Sequence, residues 1–129
     1  MEIKIILPDT NIIIPALGGK EPFASFLRNL IETKQLALSV IIVSEFLVKA
    51  SEDEERIFNA LVKKVAVFEV NLPVAELAAF YRKTYLKRKK QMNLPDCFIA
   101  ATCKIYNLTL ATLDRKDYPI EEIKIIDKF

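Results

Sequence analysis

The spacing of apolar positions along the chain changes repeatedly between strand-like and helix-like periods. Residues 3–7 form an aliphatic run broken by one lysine and closed by Pro8-Asp9, the pattern of a strand buried on both faces that ends at Asp9. Residues 23–31 place apolar side chains at 23, 26, 27, 30 and 31, the spacing of an amphipathic helix. Gly18-Gly19 mark a turn between that strand and its helix. A second short strand over 36–38 leads to Ser39, which can cap a helix carrying Val43, Phe46 and Leu47 inward with Glu45 among them.

Residues 52–63 predict a further helix, with acids in its first turn and Lys63-Lys64 at its end, as the helix dipole favours. A β-branched strand follows over 65–70, and then a long helix from Pro73 to about Lys89. Another helix covers 95–106, begun by Pro95-Asp96 and closed by Asn107 as C-cap. Residues 108–112 read as a fourth strand, 114–118 as a loop or short helical turn, and 123–126 as the last strand. Strands alternating with helices predict an α/β fold: a central, mostly parallel sheet of four to five strands flanked by helices.

The length of 129 residues, with 52% hydrophobic content, suits one domain spanning residues 1–129 with a buried core. No repeat, low-complexity stretch or domain boundary interrupts it. No apolar run reaches the length of a membrane span, and Glu2-Ile3-Lys4 precede the first apolar residues without a basic leader, so the expectation is a soluble, cytoplasmic protein.

Histidine is absent, which removes His-based acid–base catalysis, Ser-His-Asp and Cys-His nucleophile systems, and His-containing zinc sites. Cys97 and Cys103 lie six apart on one predicted helix and match no CxxC pattern, so they read as buried thiols. Carboxylates or lysines must carry any chemistry. The net charge is only +2, yet Arg82, Lys83, Lys87, Arg88, Lys89 and Lys90 fall in one stretch without an acid. That stretch is either a face that meets phosphates or, more simply, the solvated positive end of a long helix.

In an open parallel sheet, sites form beyond the carboxyl ends of the strands, where Asp9 and Asp114 both fall. Glu45 sits inside the apolar stretch 41–48, and Asp96 directly precedes Cys97-Phe98-Ile99-Ala100-Ala101. A lone carboxylate in such surroundings costs several kcal/mol unless it is paired or bound to a cation. Only Arg115 and Lys116 are interleaved with these four acids. Hard cations such as Mg²⁺ and Mn²⁺ prefer oxygen ligands, so clustered carboxylates without histidine point to metal-assisted phosphodiester hydrolysis. Each acid also has a simpler reading, Asp96 as a helix N-terminal residue and Asp114 as a turn residue.

Residues 6–14, Ile-Leu-Pro-Asp-Thr-Asn-Ile-Ile-Ile, resemble the opening motif of PIN domains, an apolar strand followed by Asp-Thr-Asn or Asp-Thr-Ser. Ser39-Val40 leading to Ser44-Glu45-Phe46, the stretch 94–102 around Asp96, and 111–118 around Asp114 follow in the order expected of the toxin ribonucleases of VapBC-type toxin–antitoxin pairs. The resemblance covers nearly the whole chain. It implies that Asp9, Glu45 and Asp96 match the three core acidic positions, with Asp114 at the fourth and Asp117 at a nearby acidic position that some members use. Asp9, Asp96, Asp114 and Asp117 would then hold Mg²⁺ or Mn²⁺, while Thr10, Asn11 and Thr112 would steady carboxylates or water beside them. Thr10 and Asn11 are also good turn and cap residues in their own right. Cys97 stands where the family usually has a small residue.

The family further implies an RNA substrate, in-line hydrolysis leaving 5′-phosphate and 3′-hydroxyl ends, a cognate antitoxin and a homodimer. The homodimer is also expected from Phe23, Phe26, Phe80, Tyr81 and Tyr85, more aromatic surface than one face of each helix needs for a core of this size. A housekeeping nuclease in RNA processing would use the same acids, and a non-catalytic binding protein could share the fold. A phosphate-accepting receiver domain would need paired acids after the first strand, where Pro8-Asp9-Thr10 supplies one. Dehalogenase-type phosphatases resemble Asp-x-Asp-x-Thr there, and Asn11 occupies the second acidic place.

Overall fold

The computed structural model describes residues 3–88 and 91–129. Among the described residues five three-residue strands alternate with six α-helices: β1 (Ile6–Pro8), α1 (Thr10–Leu17), α2 (Phe23–Glu32), β2 (Ala37–Ser39), α3 (Val40–Lys49), α4 (Glu52–Val62), β3 (Ala66–Phe68), α5 (Leu72–Leu86), α6 (Leu94–Tyr106), β4 (Thr109–Ala111) and β5 (Lys124–Ile126). A 3₁₀ turn, Arg115–Asp117, lies between the last two strands.

All strand pairs are parallel, and β1 pairs with β4 in the register Ile6–Thr109 to Pro8–Ala111, so Asp9 leaves the sheet beside Thr112. β5 extends this sheet on the far side of β4, while β2 and β3 form a separate pair. One bridge, Ile6 to Leu36, joins the two pieces, with the Ile6 N–H donating to the Gln35 carbonyl at 2.8 Å. The predicted parallel α/β sheet is therefore present, but its strands are shorter than the apolar runs. Ile5, Val65 and Val70 pack against the core without belonging to a strand.

The side chains that start the helices also fix where the chain turns. Ser39 accepts from the Ile42 N–H at 3.1 Å to begin α3, and Ser51 and Glu54 exchange both bonds of a capping box at α4. Asn71 caps α5, and Asn93 caps α6 by accepting from the Asp96 N–H at 2.9 Å. At the other end of α6, Asn107 adopts the left-handed conformation expected of a C-cap.

Helix α1 was not expected. Ile12-Ile13-Ile14-Pro15 combines β-branched residues with a proline that cannot donate to the Asn11 carbonyl, and intrinsic propensity argues against a helix there. Burial overrides propensity: Ile12 and Ile13 are completely buried, and the Asp9 carboxylate caps the first turn. Gly18 and Gly19 accordingly end this helix and lead into α2, rather than linking β1 to its first helix.

The larger core cluster joins Leu7, Leu38 and Leu110 of the sheet to Phe46, Phe58, Ile99 and Tyr118, with the rings of Phe46 and Phe58 stacked at 4.1 Å. Cys97 and Cys103 are free thiols inside it, and burial pushes the Cys103 thiol up to about 12. Among the described residues no helix is long and apolar enough to cross a membrane.

Candidate active site

The carboxyl ends of β1 and β4 carry Asp9 and Thr112, and the first hydrogen bonds of the site connect them. The Asp9 N–H donates to the Ala111 carbonyl at 2.8 Å, continuing the β ladder, and the Thr112 hydroxyl donates to Asp9 Oδ2 at 3.2 Å. Asp9 Oδ1 accepts from the Thr10 N–H at 2.8 Å. Thr112 Oγ1 also accepts from Asn11 Nδ2 at 3.2 Å and from the Asp114 N–H at 3.1 Å, so its donor and both acceptor sites are used.

Asn11 completes this clip. Its amide nitrogen donates to Asp114 Oδ2 at 3.2 Å, and its oxygen accepts from the Leu113 N–H at 3.2 Å. Asn11 and Thr112 thus link Asp9 to Asp114 through their side chains. Thr10 contributes its backbone N–H and lines a crevice with Ile14, Glu45, Val48 and Lys49.

Tyr118 was assigned no role from the sequence. Its side chain is buried, and its hydroxyl lies 3.1 Å from Asp9 Oδ2 and 3.2 Å from Asp96 Oδ1, linking acids from α6 and the end of β1. A tyrosine closing a polar turn carries no sequence signal of such a contact.

The electrostatics place the remaining acids in the same neighbourhood. Burial raises Asp9 above the ordinary carboxylate range, and the charge of Asp114 adds to that rise, against the lowering pull of its hydrogen bonds. Glu45 on α3 is raised by burial and then by Asp9, and partly brought back by Lys49, one turn further along. Asp96 is raised to about 6, first by burial, then by Asp9, with Glu45 and Asp117 contributing further. These repulsions set Asp9 near Asp114, Glu45 and Asp96, and Asp96 near Glu45 and Asp117. Asp114 and Asp117 flank the 3₁₀ turn at its edge, and both are half-buried.

No Lys or Arg among the described residues lies within ion-pair distance of Asp9, Glu45, Asp96 or Asp114; Arg115 instead pairs with Asp127 at 3.0 Å. Glu45 Oε1 is buried and has no hydrogen-bond partner among the described residues. A buried orphan oxygen beside crowded carboxylates, all of them hard oxygen donors, fits a divalent cation. Among the described residues no three acidic side chains close tightly around one point, so such an ion would take one or two carboxylates and complete its shell with water, as Mg²⁺ commonly does.

Of the basic stretch, the described residues Lys83, Lys87 and Arg88 are exposed and Arg82 is half-buried. Arg82 is partly buried against Cys97, and its Nη1 has no hydrogen-bond partner among the described residues. Arg88 stacks over the Tyr85 ring at 4.5 Å, and Lys83 and Lys87 are exposed. Lys89 and Lys90 lie outside the described residues. Helix α5 ends at Leu86, short of the expected Lys89.

The aromatic residues expected to form an interface are mostly spent inside the fold. Phe23 and Phe26 pack on Phe129, Tyr81 donates to Glu122, and Tyr85 donates to the Pro119 carbonyl at 2.9 Å. Phe80 alone of the five is more than half exposed.

Comparison with known proteins agrees with this architecture. The PIN domain family matches residues 6–123. Ribonuclease VapC10 of Mycobacterium tuberculosis is 27% identical over 118 residues, covering 92% of this chain and 89% of its own. The toxin–antitoxin complex from Klebsiella pneumoniae superposes with a TM-score of 0.76 at 26% identity, covering 94% of this chain and 95% of the matched one. FitAcB from Neisseria gonorrhoeae superposes at 0.71 and 25% identity, covering 95% and 96%. VapBC2 from Rickettsia felis, bound to a DNA fragment from its promoter, reaches 0.80 at 18% identity over 95% and 97%, a likeness of fold.

Proposed function

The chain belongs to the PIN-domain family, and from that premise we propose that it is a Mg²⁺- or Mn²⁺-dependent endoribonuclease, the toxin of a type II toxin–antitoxin pair. The observation that carries this reading is the crowding of Asp9, Glu45 and Asp96, each raised by burial and by its neighbours, with no ion-paired Lys or Arg among the described residues. A structural role would have supplied a basic partner, because buried like charges are costly to leave uncompensated.

Of Asp9, Asp96, Asp114 and Asp117, one or two would hold the cation directly and the others would reach it through water. Once bound, it would neutralise developing charge on the phosphodiester and favour ionisation of an attacking water. Asn11 and Thr112 keep the Asp9 and Asp114 carboxylates turned toward each other, so their geometry is set before substrate arrives. Glu45 Oε1, unpartnered and held by a helix, is the atom suited to accept the proton of that water.

The likeness to Ribonuclease VapC10 supports RNA as the substrate, and the likeness to toxin–antitoxin complexes supports a cognate antitoxin as partner. Phe80, exposed on α5, is the aromatic left to serve a homodimer contact. Light scattering on the wild type and on Phe80→Asp tests that contact: a dimer that becomes a monomer supports it, and a monomeric wild type at high concentration removes it.

The decisive experiment is RNA cleavage by purified protein with Mg²⁺ or Mn²⁺ and with excess EDTA. Cleavage that starts with the metal and stops with the chelator is expected. Full activity in chelator would overturn the reading.

A further inference from the structure

Among the contacts of the acidic site, those of Tyr118 join two acids through one hydroxyl. Its ring belongs to the main core cluster, and its backbone N–H closes the 3₁₀ turn on the Arg115 carbonyl at 3.0 Å. Arg115 is itself tied to the Ile125 carbonyl and to Asp127, both at 3.0 Å, and the next residue, Pro119, accepts from Tyr85. The hydroxyl is therefore delivered from a fixed support to a point between two carboxylates.

We propose that Tyr118 is a positioning residue for the metal-binding acids: its hydroxyl, lodged between Asp9 Oδ2 and Asp96 Oδ1, sets the orientation of the Asp96 carboxylate toward Asp9. This rests on the metal-dependent reading above. The two acids differ in how much they depend on it. Asp9 accepts from Thr10, Thr112 and Tyr118, so it keeps two donors without the tyrosine. The Asp96 side chain has Tyr118 as its one hydrogen-bond donor among the described residues. Without that donor, a half-buried carboxylate at a helix start is free to rotate away from Asp9.

The contact also limits how far the acids can separate. Both oxygens touch one hydroxyl, so they stand no farther apart than the length of two hydrogen bonds. Two carboxylate oxygens sharing one Mg²⁺ must come within roughly 4 Å of each other, given bonds of about 2.0–2.1 Å. A hydroxyl has a single proton and can donate to only one carboxylate at a time. A cation held by these acids would satisfy the other, so the arrangement would be better matched with an ion bound. Phenylalanine would fill the same core volume and supply none of this.

The test is calorimetric titration of Mn²⁺ into wild type, Tyr118→Phe and Tyr81→Phe, with metal-free thermal melting of all three. Tyr81 is the control, since it is equally buried and its hydroxyl donates to Glu122 rather than to these acids. Loss of a group that orients a metal ligand lowers affinity by about 10–100-fold, so Tyr118→Phe should bind Mn²⁺ at least about tenfold more weakly while Tyr81→Phe binds as wild type does. RNA cleavage by Tyr118→Phe should recover as Mn²⁺ is raised. Wild-type affinity in a folded Tyr118→Phe, even with a lower melting temperature, would leave the hydroxyl a purely structural role and overturn the proposal alone. A wild type that binds no Mn²⁺ would overturn the metal-dependent reading, and this proposal with it.

Discussion

Asn11 donates its side-chain amide to the carboxylate of Asp114 across 3.2 Å, although the two residues are 103 positions apart in the chain. The same side chain accepts from the Leu113 N–H and donates to Thr112, so it is satisfied on both ends. Asn11→Asp would reverse the donor and set a like charge against Asp114 and Asp9. The expected result is a loss of about 1–3 kcal/mol of metal-free stability, read by denaturant unfolding. An unchanged midpoint would mean that the clip contributes little to the fold.

Asp96→Asn and Asp9→Asn should both abolish cleavage by weakening metal binding, yet they should part company in stability. At Asp96 the substitution removes repulsion from Asp9, Glu45 and Asp117 and keeps an oxygen for Tyr118, so the metal-free protein should melt at or above the wild-type temperature. Asp9 uses both oxygens as acceptors, and an amide there loses one acceptor site, which offsets the relief by about 1 kcal/mol. Retained cleavage in both variants, or a large fall in the Asp96→Asn melting temperature in EDTA, would show that these acids hold the fold together instead.

Acidity should stabilise the metal-free protein. Asp9, Glu45 and Asp96 are all raised above their ordinary values, so each binds its proton more tightly folded than unfolded. Stability then increases as pH falls and is lost as pH rises through the folded value, which for Asp96 sets the window between 3.8 and about 6. Mn²⁺ affinity should run the other way and weaken across that window, because the ligands must ionise. Melting curves in chelator from about pH 7 down to about pH 4 test this. A steady fall in melting temperature toward pH 5 would contradict the crowding of these acids.

Glu45→Gln separates proton transfer from metal binding. If Oε1 accepts the proton of the attacking water, kcat should fall by about 10²–10⁴-fold, with Mn²⁺ affinity close to wild type. A large loss of Mn²⁺ affinity would make Glu45 a ligand instead.

Much of this site was legible in the sequence because strand ends are easy to find. The aliphatic run before Asp9 and the strand read over 108–112 put Asp9 and Asp114 beyond strand ends, which the pairing of β1 with β4 sets side by side, and the caps at Ser39 and Asn107 fixed where helices begin and end. What could not be read depends on tertiary packing. Helix α1 defies the propensity of Ile12-Ile13-Ile14-Pro15 because its isoleucines are buried. The run from Arg82 to Lys90 looked continuous in sequence, yet Arg82 turns inward and Arg88 stacks on Tyr85. The aromatic residues looked surplus until Phe129 came to cover Phe23 and Phe26. Tyr118 gave no signal, since nothing local distinguishes a core tyrosine from one whose hydroxyl meets two acids.

The pairing of β1 with β4 has a consequence for the life of the chain during synthesis. Among the described residues Asp9 precedes every α-helix in the chain, whereas Thr112, Asp114 and Tyr118 follow all six. Loop closure over such a distance comes late in folding, and a nascent chain lacking these residues has no partner strand beside Asp9 on that side. The hydroxyl that joins Asp9 to Asp96 exists only once translation has passed Tyr118, so a chain cut short before it lacks that link between the two acids.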